Sequence, residues 1–538
     1  MEEKDLIIAN IPAEKFEFAE NNDFKHDAKF DTKPVGYFRD AFRRFRKNKG
    51  SVTAGIIILI LLIYALLVPI VSTPVAKGVR DSYYAKLGPR TTWAYKLGID
   101  GATKKEYNEN TLLNFYGMGV GAEYSYDEAT GKEHNATFEE GLNSYYQPVV
   151  KNKGQYYVQQ GADLTSMYHA NVDSYLGVGF IFKQLNYTEY QKIVAYQNET
   201  GIQVLYPMID TSSEDYYGYG TTNEYPNYWY KASRARKSKG APLDANGKVQ
   251  ALSKKGTVTY IDIYLRDEEG KPVYYVRNGG GTEETAGYKV RMLYYNYYRY
   301  LNNCEPNYIL GTDSQGYDMA YRLATGMRLS FILSIMVSAI NFVIGALYGA
   351  VEGYYGGAID LVLERVSDIL VSVPFVVVAT LFQLHLAKKV GAFPSLLFAF
   401  IMTGWIGTAS RVRSQFYRFK NSEYVLAART LGARDRRIMW KHIFPNSLGT
   451  LVTSSVLVIP GVIFTESMLS YLGIAKLGTA TSTSLGTLLS ESSTLWNVGY
   501  PNLLIIPAVV ISLLMICFNL FGNGLRDAFN PTLRGADE

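Results

Sequence analysis

The stretch Asn421–Asn446, NSEYVLAARTLGARDRRIMWKHIFPN, gathers residue types suited to mechanical work rather than bond-making. Glu423 to Leu431 form a short helix, because Ala427, Ala428 and Leu431 are good helix formers and Gly432 suits the position just past a helix end. A second helix starts near Asp435, whose charge fits the positive end of a helix dipole, and stops before Pro445. Small side chains at Ala427 and Ala428 admit a close-packed partner backbone. Nine basic residues lie between Arg411 and Lys441, so the pair of helices reads as a protruding, positively charged knob. The chain has no G-x-x-x-x-G-K-[ST]. Its three Gly-Lys pairs, at Gly131, Gly247 and Gly270, are followed by Glu, Val and Pro, so it cannot cradle nucleotide phosphates by that motif. Metal-ligand spacing is also absent: there is no CxxC, and no two of the five histidines lie four apart.

A second group of candidates stands inside apolar stretches: Asn341, Gln383, His385 and Glu466. A charge near mid-bilayer costs at least ~2.5 kcal/mol on insertion scales, so polar groups there are functional candidates by default. Glu364 and Asp368 lie nearer a span end, where pairing with loop arginines is expected.

These residues must be positioned by membrane spans. Six segments are long and apolar enough: Val52–Val71, Leu329–Val351, Leu361–Leu386, Ser395–Val412, Ser447–Leu472 and Leu503–Phe521. Pro374 is expected to kink the third. Six basic residues between Arg39 and Lys49 precede the first span, and the nine of the knob lie between the fourth and fifth. The positive-inside rule then makes the N-terminus, the knob and the C-terminus cytoplasmic and residues 73–310 extracellular. Cys304 and Cys517 fall on different sides, which excludes a disulfide framework. Net charge is only +5, giving no argument for nucleic acid.

The resulting division is 1–50, a cytoplasmic tail and elbow helix; 51–72, the first span; 73–310, an extracellular α+β domain; 311–530, five further spans with the knob at 415–446; and 531–538, a cytoplasmic tail. Phe38, Phe42 and Phe45 recur at helical spacing among arginines, which suits a helix in the headgroup layer or a plain basic flank. Residues 73–310 hold 34 of the 45 tyrosines. Tyrosine can bind peptide or sugar, but packing the domain's own core is the reading favoured here. Thr188 is expected to cap a helix ending at Gly201. IQVLYPMI reads as a strand, and TVTYIDIYL with PVYYV as a hairpin. A membrane-anchored receptor or an outer-domain enzyme are the competing classes. Neither needs the knob, and no acid, His134 or His169 has a partner at catalytic spacing.

The knob resembles the EAA loop of the permease subunits of binding-protein-dependent ABC importers of type I: Ala427, Ala428, Gly432 and Pro445 match that pattern at its spacing. Leu426, His442 and Phe444 replace the pattern's Glu, Ile and Leu, as in the peptide-transport branch, and Glu423 becomes the functional acid. GTDSQGYDMAYRLATGMRLS, GYYGGAID, TESMLSYLG and FNLFGNGLRDAFNPTLR resemble other segments of that branch, in particular the C-type subunit of oligopeptide or dipeptide permeases. The resemblance implies a six-helix permease fold forming half of a translocation pathway. It also implies a homologous second permease, two ATPase subunits that bind ATP and Mg, and an extracellular lipoprotein that delivers the solute. Glu423, Ala427, Ala428, Leu431, Gly432 and Pro445 would couple to the ATPase, with no cofactor held by this chain. Glu466, Asn341 and Gln383 would line the pathway. Glu466 attracts a peptide amino terminus if it faces the pore, and otherwise bonds neighbouring backbone or Ser467. Oligosaccharides, nickel chelates and glutathione are the alternative solutes of the branch.

Overall fold

A computed structural model describes residues 37–71, 79–90, 101–160, 163–212, 226–227, 230–232, 258–260, 264–279, 282–478, 483–495 and 500–529. Among these, five helices are long and apolar enough to cross a membrane: Lys49–Val71, Met319–Tyr355, Ala392–Phe419, Asp435–Tyr471 and Pro501–Phe529. A bent pair, Gly357–Val371 and Phe375–His385, makes a sixth if counted as one span. The pair turns by 69°, with Pro374 capping the second half. The expected kink is therefore a break, because Pro374 cannot donate to the preceding turn.

All five long helices overrun the apolar segments that announce them. Met319–Tyr355 begins ten residues before Leu329, through Arg322 and Arg328: a charge ends hydropathy, not helix. Asp435–Tyr471 corrects the expected stop before Pro445. Its backbone passes through a π-helical segment, Ile438–Ile443, and Phe444 N–H donates to the carbonyl of Met439 five residues back. Pro445 then lies in the first turn of the next α-helical segment, Phe444–Val456, where its missing N–H costs little.

The described residues between the first two long helices, expected to lie outside the cell, are α+β. One antiparallel sheet runs Ala102–Asn108, Asp163–Asp173, Val149–Gln160. A second centres on Gly287–Leu293, with Phe180–Asn186 along one edge and Tyr275–Asn278 and Leu205–Tyr206 on the other. Two local expectations change here, and a third is kept. Asn186, not Thr188, caps helix Tyr187–Thr200, its side chain accepting from Glu189 N–H, while Gly201 ends it at φ +70°. IQVLYPMI contributes only the two-residue strand Leu205–Tyr206 and a bridge from Ile209 to Tyr264. PVYYV turns back on the TVTYIDIYL arm as expected, with Val273 N–H donating to Leu265 O (2.8 Å) and a bridge between Arg266 and Pro272, and it also pairs with Gly287–Leu293 through Tyr275 and Val276; residues 261–263 of that arm lie outside the described residues. The tyrosines pack this body: Tyr84, Tyr175, Tyr288, Tyr295 and Tyr298 all sit in one buried cluster.

Both ends of the outer body are fastened together. Lys86 N–H donates to Asp313 O (2.9 Å) and Arg90 N–H to Tyr308 O (2.9 Å). The Thr312 hydroxyl accepts from Leu87 N–H (2.9 Å). Tyr84 carries this clamp into the tyrosine core, with the rings of Tyr294 and Tyr298 at 4.8 and 5.4 Å. The clamp sits at the start of helix Met319–Tyr355, and the knob lies at that helix's other end.

Candidate functional site

The knob is a helical hairpin whose base is satisfied and whose tip is bare. Helix Glu423–Thr430 starts after Ser422, with Glu423 exposed in its first turn, where the helix dipole favours a carboxylate. It ends at Leu431 in a paired-bond cap. Gly432 N–H donates to Arg429 O (3.0 Å) and Ala433 N–H to Ala428 O (3.1 Å), with Gly432 at φ +80°. That left-handed conformation is what calls for glycine here; a Cβ at Gly432 would meet nothing within 4 Å.

The faces of the short helix divide sharply. Val425 (0% exposed) joins the buried cluster of Ile438, Ile443 and Phe416, and Ala428 (8%) is buried beside it on the helix, whereas Tyr424, Leu426 and Ala427 face out. Ala428 therefore packs its own chain rather than offering a partner room. Leu431 is 88% exposed. An isolated apolar side chain at the tip of a fixed turn, ringed by the exposed cations Arg429, Arg434, Arg436 and Arg437, has the makeup of a docking anchor. Pro445 is exposed at the far foot of the hairpin.

Two polar clusters secure the base. The Tyr354 hydroxyl donates to Asp435 Oδ1 (2.5 Å) and lies 3.4 Å from an Arg429 nitrogen. Arg413, on the helix leading to the hairpin, holds Asp360 through two nitrogens (2.7 and 2.8 Å) and Glu364 (2.9 Å). The expected pairing of Glu364 with a basic residue is thus met by Arg413. Asp368 instead pairs with Arg365 on its own helix. Neither Tyr354 nor the Arg322 described below was singled out by sequence. Asp435 for Tyr354 and Glu491 for Arg322 are distant in the chain, and the GYYGGAID and GTDSQGYDMAYRLATGMRLS stretches mark only their neighbourhoods.

The polar residues of the spans sit in helix contacts. Glu466 is fully buried and accepts from the Ser330 and Ser470 hydroxyls, each at 2.9 Å. Its carboxylate therefore joins helix Val458–Tyr471 to helix Met319–Tyr355 within this chain. Asn341 is 2% exposed and reaches toward Phe400 O (3.5 Å). Its amide fills the space left by Gly404, where a Cβ would lie 2.3 Å from the amide nitrogen. Gln383 donates to Ala392 O (3.0 Å), closing the turn after the broken span. His385 is exposed. Near the start of helix Met319–Tyr355, Arg322 (2% exposed) pairs with Asp313 and, at 3.2 Å, with Glu491. Among the described residues, no three His, Cys, Asp or Glu side chains are grouped to hold a metal ion.

Residues 341–535 match the family model of the binding-protein-dependent transport system inner membrane component, and residues 36–89 that of the N-terminal TM domain of oligopeptide transport permease C. The chain is 38% identical over 230 residues to the dipeptide transport system permease protein DppC of Bacillus subtilis, covering 42% of this chain and 68% of that protein. The oligopeptide transport system permease protein OppC of the same organism is 39% identical over 224 residues (42% and 72%). OppC of Haemophilus influenzae is 41% identical over 229 (42% and 71%). A solved structure of the MetNI methionine ABC transporter aligns over 39% of this chain and 98% of its own, at 17% identity and a TM-score of 0.33; a likeness that loose carries no argument.

Proposed function

From the premise that the chain belongs to the binding-protein-dependent transport system inner membrane components, as an oligopeptide/dipeptide permease of the C type, we propose that it forms half of a peptide-import pathway driven by partner ATPases. A homologous permease supplies the other half. An extracellular lipoprotein delivers the peptide, and two cytoplasmic ATPases hydrolyse ATP with Mg. Glu423, Ala427, Leu431 and Gly432 form the surface that docks into an ATPase cleft, while Ala428 and Pro445 shape it from behind. Glu466, Asn341 and Gln383 act on the pathway by fixing how its helices pack. Nucleotide-driven closure would press the two permeases' hairpins together and rock the bundles about a midplane site.

One observation carries this reading: the two basic regions share one end of the molecule. Helix Lys49–Val71 begins against the last helix, where the Ser51 hydroxyl donates to Leu520 O (3.0 Å) and Phe45 meets Phe521 edge-on at 5.4 Å. It runs toward the start of the long helix, where the Tyr64 hydroxyl donates to Ala320 O (2.8 Å). The elbow helix Tyr37–Lys47 and the hairpin are then both at the end away from the outer body. That distribution supports a cytoplasmic N-terminus, C-terminus and hairpin, with residues 73–310 outside. Phe42 is 63% exposed on the elbow beside the exposed Arg39, Arg43 and Arg46, a face suited to lipid headgroups. Because the match to the family runs through residue 89, we place the inserted body between Arg90 and Tyr308, where it would meet the lipoprotein.

Leu431→Asp tests the docking surface. In the assembled transporter, peptide uptake should fall at least tenfold while membrane insertion is unchanged, as expected when an anchor worth about 2 kcal/mol is lost. Wild-type uptake would remove the hairpin from the mechanism.

A further inference from the structure

A docking hairpin does work only if its displacement reaches the spans, and one side chain touches both of its legs. We propose that Tyr354 is the positioning residue that fixes the hairpin to the long helix Met319–Tyr355, so that the hairpin's movement becomes that helix's movement. This rests on the coupling role given above.

Tyr354 is the penultimate residue of a 37-residue helix and is 7% exposed. Its hydroxyl donates to Asp435 Oδ1, at the first turn of the outgoing leg, and lies 3.4 Å from the guanidinium of Arg429, in the last turn of the incoming leg. Arg429 also lies over the Tyr354 ring, 5.9 Å from its centroid. A single phenol thus bridges the two residues that flank the Gly432 turn. At the foot of the hairpin the Lys420 ammonium donates to Gly353 O (3.2 Å) and the Tyr417 hydroxyl to Asp360; beyond that foot the two legs meet the bundle through the apolar Val425, Ile438 and Ile443. Apolar burial is non-directional and survives sliding. The bonds to one hydroxyl, with a charged group on either side, are directional and set register.

The helix that Tyr354 terminates is well suited to carry displacement. At Gly353 its backbone lies against the helix that leads into the hairpin, Ala392–Phe419, so closely that a Cβ would fall 2.6 Å from Phe416 Cβ and 2.7 Å from Arg413 O. At its other end Arg322 is buried against Asp313 and Glu491. Arg322 and Tyr354 are separated by about 48 Å of helix at ~1.5 Å per residue. Docking at Leu431 is in this way connected, through one rod, to the clamp that holds the outer body.

The test uses the complete transporter, with both permeases, both ATPases and the lipoprotein, in proteoliposomes. Tyr354→Phe keeps the ring and removes the hydroxyl. ATPase subunits should still co-purify and basal ATP hydrolysis should persist, while peptide transported per ATP falls about tenfold, the equivalent of one charge-assisted hydrogen bond. Asp435→Ala should reproduce that loss, and the double variant should be no worse than the poorer single one. Asp435→Asn, which retains the acceptor oxygen, should recover most of the coupling. A wild-type ratio of peptide to ATP in Tyr354→Phe would overturn the proposal. So would additive losses in the double variant, or loss of ATPase co-purification in both Tyr354→Phe and Asp435→Ala, which would make the pair a folding contact. Leu431→Asp separates the two levels: intact uptake there defeats the coupling reading itself, whereas its failure beside fully coupled Tyr354→Phe defeats only the present proposal.

Discussion

The two ends of helix Met319–Tyr355 use glycine in opposite ways. At the outer clamp, Gly311 and Gly316 have φ of +77° and +90°, and a Cβ on either would fall 2.2 Å from Leu87 O or 1.9 Å from Asp81 O. At the inner hairpin, Gly432 has φ +80° and open space where its Cβ would be. The backbone demand is the same, but the vacated volume is filled by the chain itself at one end and left open at the other. The charges follow suit. Arg322 is buried with its carboxylates, while the arginines of the hairpin tip stand in solvent. The clamp holds its own chain together, whereas the hairpin leaves its tip bare, as the proposed docking requires.

That contrast can be attacked first where it is strongest. Arg322→Ala would leave Asp313 buried without its cation, a loss of about 3–5 kcal/mol. The variant should be scarcely recoverable from membranes, and a wild-type unfolding temperature in detergent would deny the triad its role. Gly316→Ala and Gly432→Ala form a matched pair. The first adds a steric clash with Asp81 to the unfavourable φ and should cost about 3 kcal/mol or more. The second carries the conformational penalty alone, about 1–2 kcal/mol. Equal shifts in unfolding temperature would erase the distinction between the ends.

The smallest effect concerns Asp318, which caps the long helix by accepting from Ala320 N–H (2.8 Å). Burial lifts its carboxyl from the usual 3.8 to about 6. Between about pH 4 and 6 the folded chain therefore holds a proton that the unfolded chain has released, so stability falls as pH rises through that window and levels off above it. Asp318→Asn keeps the cap and should flatten this slope, measured as unfolding temperature against pH.

How much of this the residues announced depends on the range of the interaction. The spans follow from apolar runs, and the Gly432 turn from its helix-forming flank, because both signals are local. The exposed tip at Leu431 was within reach, while the inward turn of Ala428 was not, since the small helix shows its core face only once Phe416 and Ile443 are beside it. Pro445 misleads because proline ends a helix only where an i−4 bond is required, and the π segment before it relieves that requirement. Asn186 and Thr188 are both competent caps, and the chain direction out of strand Phe180–Asn186 decides between them. Tyr354 and Asp435 are 81 residues apart, and no periodicity within either segment reports the other. Ser330, which bonds Glu466 from 136 residues away, is hidden in the same way, whereas Ser470 is four residues on.

The most direct measurement is a site-directed crosslink. With Cys304 replaced by Ser and Leu431 by Cys in the full transporter, a short bifunctional thiol reagent should join this chain to an ATPase subunit bearing a cysteine in its docking cleft. The yield should change with nucleotide, and a membrane-impermeant thiol label added to intact cells should leave position 431 unreacted. Labelling from outside, or no crosslink under any nucleotide condition in an assembled and active complex, would contradict the account.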